Sequence, residues 1–178
     1  MALIVETGAG LPNSESYAAV ADADLYFSNR SNAAWALLAT PAKEAALRRA
    51  TDYMCSFYRP KWKGRRVLIT QALDWPRVGV VLEDFGGSQG RNSFGSYGLF
   101  QVSYTIVPIP VMSACCELAL RASAGDLAAD LDRETTMETV GGVSVSYRPG
   151  APEHIRYRSI DLLLQPYLQI ANSVMVRS

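Results

Sequence analysis

Histidine is almost missing from this 178-residue chain, and so is any surplus of charge. The one histidine, His154, stands in a Pro-Gly-Ala-Pro-Glu-His stretch that reads as a solvated loop. No nucleophile-elbow sequence exists to receive it, so a Ser-His-Asp or Cys-His hydrolase has no foundation. The three cysteines, Cys55, Cys115 and Cys116, are too few for a disulfide framework, and two are adjacent on a predicted helix where their side chains diverge. Their spacing fits no zinc site, and buried reduced thiols in a reducing cytoplasm are expected instead. Seventeen basic and seventeen acidic side chains cancel, which removes the overall positive field of a protein that coats nucleic acid. No apolar run approaches bilayer length, so no membrane partner is expected. The opening Met-Ala-Leu-Ile-Val is cut off by Glu6 and has no basic flank, so it is not expected to act as a signal peptide.

Phosphate-binding and acid–base signatures are equally thin. Gly8-Ala9-Gly10 is a lone GxG, with Pro12 in the turn and Asn13 at the third glycine position. No lysine follows a glycine-rich loop. The acidic pairs Asp22/Asp24 and Asp130/Asp132 read as helix caps and solvated faces. No catalytic residue, cofactor or metal is expected, and the chain does not read as an enzyme.

What the chain has is apolar mass. Hydrophobic residues make up 49% and charged ones 19%, enough at this length for one domain with its own core. A short strand is expected at residues 3–5, then a loop, then a helix capped by Ser14 or Ser16 that carries Val20, Ala23, Tyr26 and Phe27 and ends near Asn29. Thr40-Pro41 opens the best amphipathic helix, since the hydroxyl can accept from a free amide and proline has no amide to waste. Ala46, Ala50, Tyr53, Met54 and Phe57 recur there at helical spacing, with Glu44 and Arg48 as an i,i+4 pair. Residues 59–77 read as a connecting loop with short extended pieces, pinned to the core by Trp62 and Trp75.

Residues 83–100 are rich in glycine, serine and aromatics and read as a long loop. The run 102–107 alternates like a strand. Residues 110–125 are apolar almost all round, the pattern of a central helix, with Glu117 and Arg121 sharing the least buried edge. Val140, Val143, Val145 and Tyr147 alternate with Ser144 and Ser146 beside a glycine pair, which predicts a small hairpin arm serving contact between subunits. Ser159 should cap a last helix carrying Ile160, Leu163, Leu164, Tyr167, Leu168 and Ala171, kinked or divided by Pro166.

Charge is segregated along the chain. Lys43, Arg48, Arg49, Arg59, Lys61, Lys63, Arg65 and Arg66 fall early, whereas Glu117, Asp126, Asp130, Asp132, Glu134 and Glu138 fall late. Opposite faces meeting between identical subunits would explain this, as would ordinary solvated faces. Within the basic stretch, Tyr58, Arg59, Lys61, Trp62, Lys63, Arg65 and Arg66 interleave cations with aromatics, the combination that single-stranded nucleic acid requires. The plainer reading makes Tyr58 and Trp62 core anchors whose neighbouring cations face water. It is preferred, because phosphate binding generally recruits a wider basic surface.

Several pieces resemble a family of tailed-phage proteins encoded among head and tail genes and often labelled DnaT-like single-stranded DNA-binding proteins. They are Met-Ala-Leu-Ile-Val-Glu-Thr-Gly, Leu-Pro-Asn-Ser-Glu-Ser-Tyr, Ala-Asp-Ala-Asp-Leu-Tyr, Lys-Glu-Ala-Ala-Leu-Arg-Arg-Ala-Thr-Asp-Tyr, Trp-Lys-Gly-Arg-Arg and Gln-Ala-Leu-Asp-Trp-Pro-Arg. The second half, with Ile-Pro-Val, Val-Gly-Gly-Val-Ser-Val-Ser-Tyr and Leu-Leu-Leu-Gln-Pro-Tyr-Leu, looks like phage head-to-tail connectors. The resemblance implies a helical bundle with a small β arm; together with the long Gly-rich loop, by which this chain departs from the family pattern, the expected fold is mainly α with a small β-hairpin arm. One adaptor domain would cover 1–171, with 83–107 as a loop-and-strand insertion, 134–148 as the arm, and 172–178 as a docking tail. The implied role is a virion neck ring, twelvefold, assembled in the host cytoplasm around a channel for DNA. Its partners would be further copies of itself, the portal, and the tail or next neck protein. Tyr167, Leu168, Ile170, Val174, Met175, Val176 and Arg177 would face the portal. The alternative is a single-stranded DNA-binding protein of phage replication.

Overall fold

Two helices whose facing sides are mostly alanine and cysteine hold the molecule together. A computed structural model describes residues 2–82, 101–129, 137–140, 143–146 and 156–169, the strands within 137–146 by their backbone. The expectations for the Gly-rich run 83–100, Tyr147, His154, Ile170, Val174, Met175, Val176 and Arg177 lie outside the described residues.

Helix α3 (Thr40–Tyr58) buries Ala46, Leu47, Ala50, Met54 and Tyr58, the three-or-four-residue stripe of an amphipathic helix. The small side chains at 46 and 50 admit close approach of α4 (Ile109–Ala124), which buries Ala114, Cys115, Leu118, Ala119 and Ala122. Thr51 sits in this seam with its hydroxyl donating to the Leu47 carbonyl at 2.9 Å, so no polar atom is stranded. Its oxygen also lies 3.4 Å from the Cys115 sulfur. Burial pushes the Cys115 and Cys116 thiols up, so both pack as neutral apolar groups. Around this pair, α1 (Val20–Ser28) contributes Ala23 and Phe27, and α2 (Ala33–Ala36) sets Trp35 5.0 Å from the Phe27 ring. Helix α5 (Arg158–Leu164) buries Ile160 and Leu164. The strands are short: β1 (Arg65–Arg66) pairs antiparallel with β2 (Arg77–Val78), and β3 (Met137–Val140) with β4 (Val143–Ser146). The fold is mainly α with a small β arm. The expected hairpin is present, with Val140 paired to Val143 and Glu138 to Val145.

The glycine-bearing N-terminal loop closes on a carboxylate. Glu6, 2% exposed, accepts from the amides of Gly8 at 2.8 Å, Gly10 at 2.9 Å and Leu11 at 2.8 Å, and from the Ser14 hydroxyl at 3.2 Å. The amides that a dinucleotide phosphate would need are therefore taken by an internal anion, which gives Gly-Ala-Gly a structural reason. Gly8 has φ +106°, and a Cβ there would collide with the Thr105 carbonyl.

Several local expectations need correction. Residues 102–107 are not a strand: after a bridge between Val81 and Gln101 the chain turns, leaving Tyr104 and Ile106 exposed against the Gly8 loop. Neither Ser14 nor Ser16 caps α1. Ser14 is spent on Glu6, and Asp22 accepts from the Ala19 amide at 3.1 Å instead. Helix α3 starts with Pro41 in its first turn, but Ala39 is its cap and Thr40 makes no capping bond. Ser159 lies inside the first turn of α5 and accepts from Arg121 at 3.2 Å. Pro166 divides rather than kinks: α5 stops at Leu164 and a 3-10 turn spans Gln165–Tyr167.

Several of the described cations pair within the chain. Lys43 meets Asp24 at 2.8 Å, Arg48 meets Glu15 at 2.9 Å and Glu44 at 3.6 Å, and Arg121 meets Glu117 at 2.9 Å. Such partly exposed pairs add about 0–1 kcal/mol each. They order side chains more than they stabilise the fold, and no acidic neighbouring subunit is needed to satisfy them.

Two measurements follow from this packing. Glu6→Ala strands three loop amides and a hydroxyl, which should lower unfolding stability by at least about 3 kcal/mol in urea titration; an unchanged midpoint would contradict the anchoring role. In the native protein Cys115 and Cys116 should resist iodoacetamide, and all three thiols should label once the chain is unfolded. Rapid native labelling at Cys115 would show that the α3–α4 seam is open, and at Cys116 that the buried side of α4 is accessible.

Candidate nucleic-acid interface

The basic stretch at 58–66 is built by burying its aromatics. Tyr58 and Trp62 are each 1% exposed, with ring centroids 5.7 Å apart. Trp62 meets Trp75 edge-on at 5.6 Å, and Trp75 meets Tyr167 edge-on at 5.7 Å. The Tyr58 hydroxyl donates to Asp161 at 2.7 Å, and burial pushes its pKa up. As contacts to nucleic acid these two rings are excluded: their faces belong to the core, so the anchor reading holds for both.

The same packing relocates Tyr167 and Leu168. Tyr167 is buried, and Leu168 forms an antiparallel bridge with Trp62. The Lys63 amide donates to the Tyr167 carbonyl at 2.9 Å, the Gln169 amide to the Lys61 carbonyl at 2.7 Å, and the Gln169 side chain to the Trp62 carbonyl at 2.9 Å. These backbone contacts brace the basic loop, and the buried Tyr167 ring is not free to dock onto a partner.

A second brace comes from residues 71–77. Arg77, 7% exposed, donates from Nε to the Lys63 carbonyl at 2.8 Å, from Nη2 to the Gly64 carbonyl at 2.8 Å and from Nη1 to the Asp74 carbonyl at 3.2 Å. Burial lowers its pKa, although a guanidinium so thoroughly bonded remains a cation. Gln71, also buried, accepts from the Leu68 amide at 2.9 Å and donates to the carbonyls of Leu73 at 2.8 Å and Pro76 at 3.1 Å. Gly64 turns the chain into β1 with φ +68°, where a Cβ would strike the Val78 carbonyl. Trp-Lys-Gly-Arg-Arg and Gln-Ala-Leu-Asp-Trp-Pro-Arg are thus the two sides of one clamp. The role of Arg77, Gln71 and Asp74 was missed in the sequence, where the only signal is a polar residue on each side of a buried Trp-Pro.

The clamp sorts the cations. Arg59 donates to the buried Asp74 carboxylate at 3.0 Å, whose charge holds the guanidinium pKa up; its side chain is still 56% exposed, so it stays at the surface with one N–H engaged. Lys63 donates to the Val81 carbonyl at 3.3 Å. Lys61 lies with its ammonium 3.2 Å from the Phe57 ring centroid, and burial lowers its pKa. Arg65 and Arg66 are exposed on β1. Arg66 donates to the Gln71 carbonyl at 3.3 Å, and among the described residues Arg65 has no hydrogen-bond or ion-pair partner. The arrangement is a rigid two-strand ribbon with two projecting guanidiniums, suited to bonding phosphate oxygens. Among the described residues no cluster of His, Cys, Asp or Glu could hold a metal ion, and no helix is long and apolar enough to cross a membrane.

A family model described as "Putative DnaT-like ssDNA binding protein" matches residues 1–178. None of the curated proteins and none of the solved structures matches the chain. The match overturns the head-to-tail connector as the main reading and favours the one held second; nothing supports a neck location or ring, portal and tail partners. Over its whole length the chain belongs to the family of DnaT-like ssDNA binding proteins.

Proposed function

We propose that the protein binds single-stranded DNA, with Arg65 and Arg66 of the β1–β2 ribbon as its principal phosphate contacts. The observation that carries this is the clamp: buried Trp62, Gln71 and Arg77 are all spent on holding two exposed arginines in one orientation. The family description supports the choice of ligand. Guanidinium suits phosphate because it offers parallel N–H donors to two oxygens, and pre-ordering the backbone lowers the entropy lost on binding. With formal net charge zero, attraction is local to the ribbon, so few phosphates are neutralised and the footprint is short.

Changing Arg65 and Arg66 together to Ala should weaken binding of a fluorescent oligothymidylate at least about tenfold. It should also flatten the log-affinity against log-salt slope by roughly 1.4, at about 0.7 per lost single-strand phosphate contact. Equal affinity and slope in anisotropy titrations would refute the assignment. Gly64→Ala keeps every charge but cannot keep the turn. Its affinity should fall about as far while the helical circular dichroism stays near wild type, and unaltered binding would show that clamping is irrelevant.

A further inference from the structure

The ribbon offers phosphate contacts but no free ring for a base, and the rings that interleave with its cations in sequence are buried. A different set of aromatics is partly open. Tyr53 and Phe57, one turn apart on α3, stack with centroids 5.5 Å apart and planes 15° apart. Tyr157, just before α5, meets Tyr53 edge-on at 5.6 Å. All three are half-buried. They rest on Tyr58, whose ring meets Phe57 edge-on at 4.9 Å, so the ledge is backed by the same aromatic column that fixes the ribbon.

Cations border the ledge. Lys61 covers Phe57 with its ammonium, Arg121 lies 5.7 Å from the Tyr157 centroid, and Arg156 and Arg158 are exposed beside it. The acidic groups facing it are Asp52 on α3, Asp161 on α5, Asp126 beyond α4, and Glu117, which already holds Arg121. Asp161 is engaged by the Tyr58 hydroxyl.

We infer that unpaired bases stack on the Tyr53–Phe57–Tyr157 ledge, with Lys61 and Arg156 contacting the adjoining phosphates. This rests on the single-stranded DNA reading and supplies what that reading lacks, a means of preferring single strands over duplex. In a duplex each base face is covered by its neighbours; in a single strand it is free to meet a ring. Lys61 is the moving part. Its ammonium lies on the Phe57 face, and a phosphate competes for that cation, so drawing the flexible lysine aside bares the face to the following base.

The three native tryptophans, Trp35, Trp62 and Trp75, are all fully buried, so they report nothing from this surface. A Phe57→Trp variant adds one reporter on the ledge. An oligothymidylate should quench its added emission, and an abasic oligomer of equal length and charge should not. Wild-type protein should bind the abasic oligomer about tenfold or more weakly than the base-bearing one, and Tyr53→Leu with Phe57→Leu should erase that difference without changing the salt slope. Equal wild-type affinity for abasic and base-bearing strands would overturn the ledge while leaving the ribbon's phosphate contacts standing. If wild type binds neither oligomer, both proposals fall.

Discussion

The whole basic corner of this protein depends on keeping Trp62 dry. Its ring is covered from three directions by parts of the chain far apart in sequence: Tyr58 at the end of α3, Trp75 from the 71–77 segment, and residues 167–169 bonding the 61–63 backbone. Burying one large ring contributes about 1.5–3 kcal/mol, and here that gain is coupled to geometry. A residue that must lie inside fixes its neighbours outside. Lys61 and Lys63 lie either side of it along the chain, and two residues later the backbone emerges as β1 with Arg65 and Arg66 projecting. Arg77 completes the constraint by converting three carbonyls that would otherwise lack donors into a single braced corner.

The helices were legible because burial on a helix imposes a period, and α1, α3 and α4 carry it through Phe27, Ala46, Ala50, Leu118 and Ala122. The hairpin arm was legible for the matching reason at period two. Alternation failed at 102–107, where the approach of the Gly8 loop to Thr105 and Ile106 outweighed β propensity. Caps failed at Ser14, Ser16 and Ser159 because a hydroxyl that can cap can equally serve Glu6, Ala18 or Arg121. The ribbon arginines could be picked out as candidates, but not their orientation. That Trp62 turns inward was legible, but no local pattern says that Tyr53 and Tyr157 meet across more than a hundred residues.

The features that suggested a ring adaptor have other uses. The apolar circumference of α4 is largely consumed by α3, α1 and α5 within one chain. The charge segregation visible along the sequence dissolves in space, since Lys43, Arg48 and Arg59 reach Asp24, Glu15 and Asp74 in the same molecule. The Tyr167 ring is buried behind the clamp, and the Leu168 backbone bridges to Trp62. Linear charge blocks carry information about interfaces only when their partners are absent from the fold.

If the chain binds a polyanion as proposed, its zero net charge requires placement to substitute for field. A strongly basic protein gains affinity from many loosely positioned cations, each losing conformational freedom on contact. Here the described cations near the ribbon differ in engagement: Arg59 is tied to Asp74 while more than half exposed, Lys61 rests on Phe57, and Arg65 and Arg66 are exposed on β1. On that reading the electrostatic gain is small, and selectivity would come from contacts that only an unpaired strand can satisfy. The half-buried rings of the ledge lie close to the cationic edge, and the column running from Tyr167 through Trp75, Trp62 and Tyr58 to Phe57 joins the two by direct ring contact. Packing that holds the arginines therefore also holds the rings, and a change anywhere along that column is felt by both.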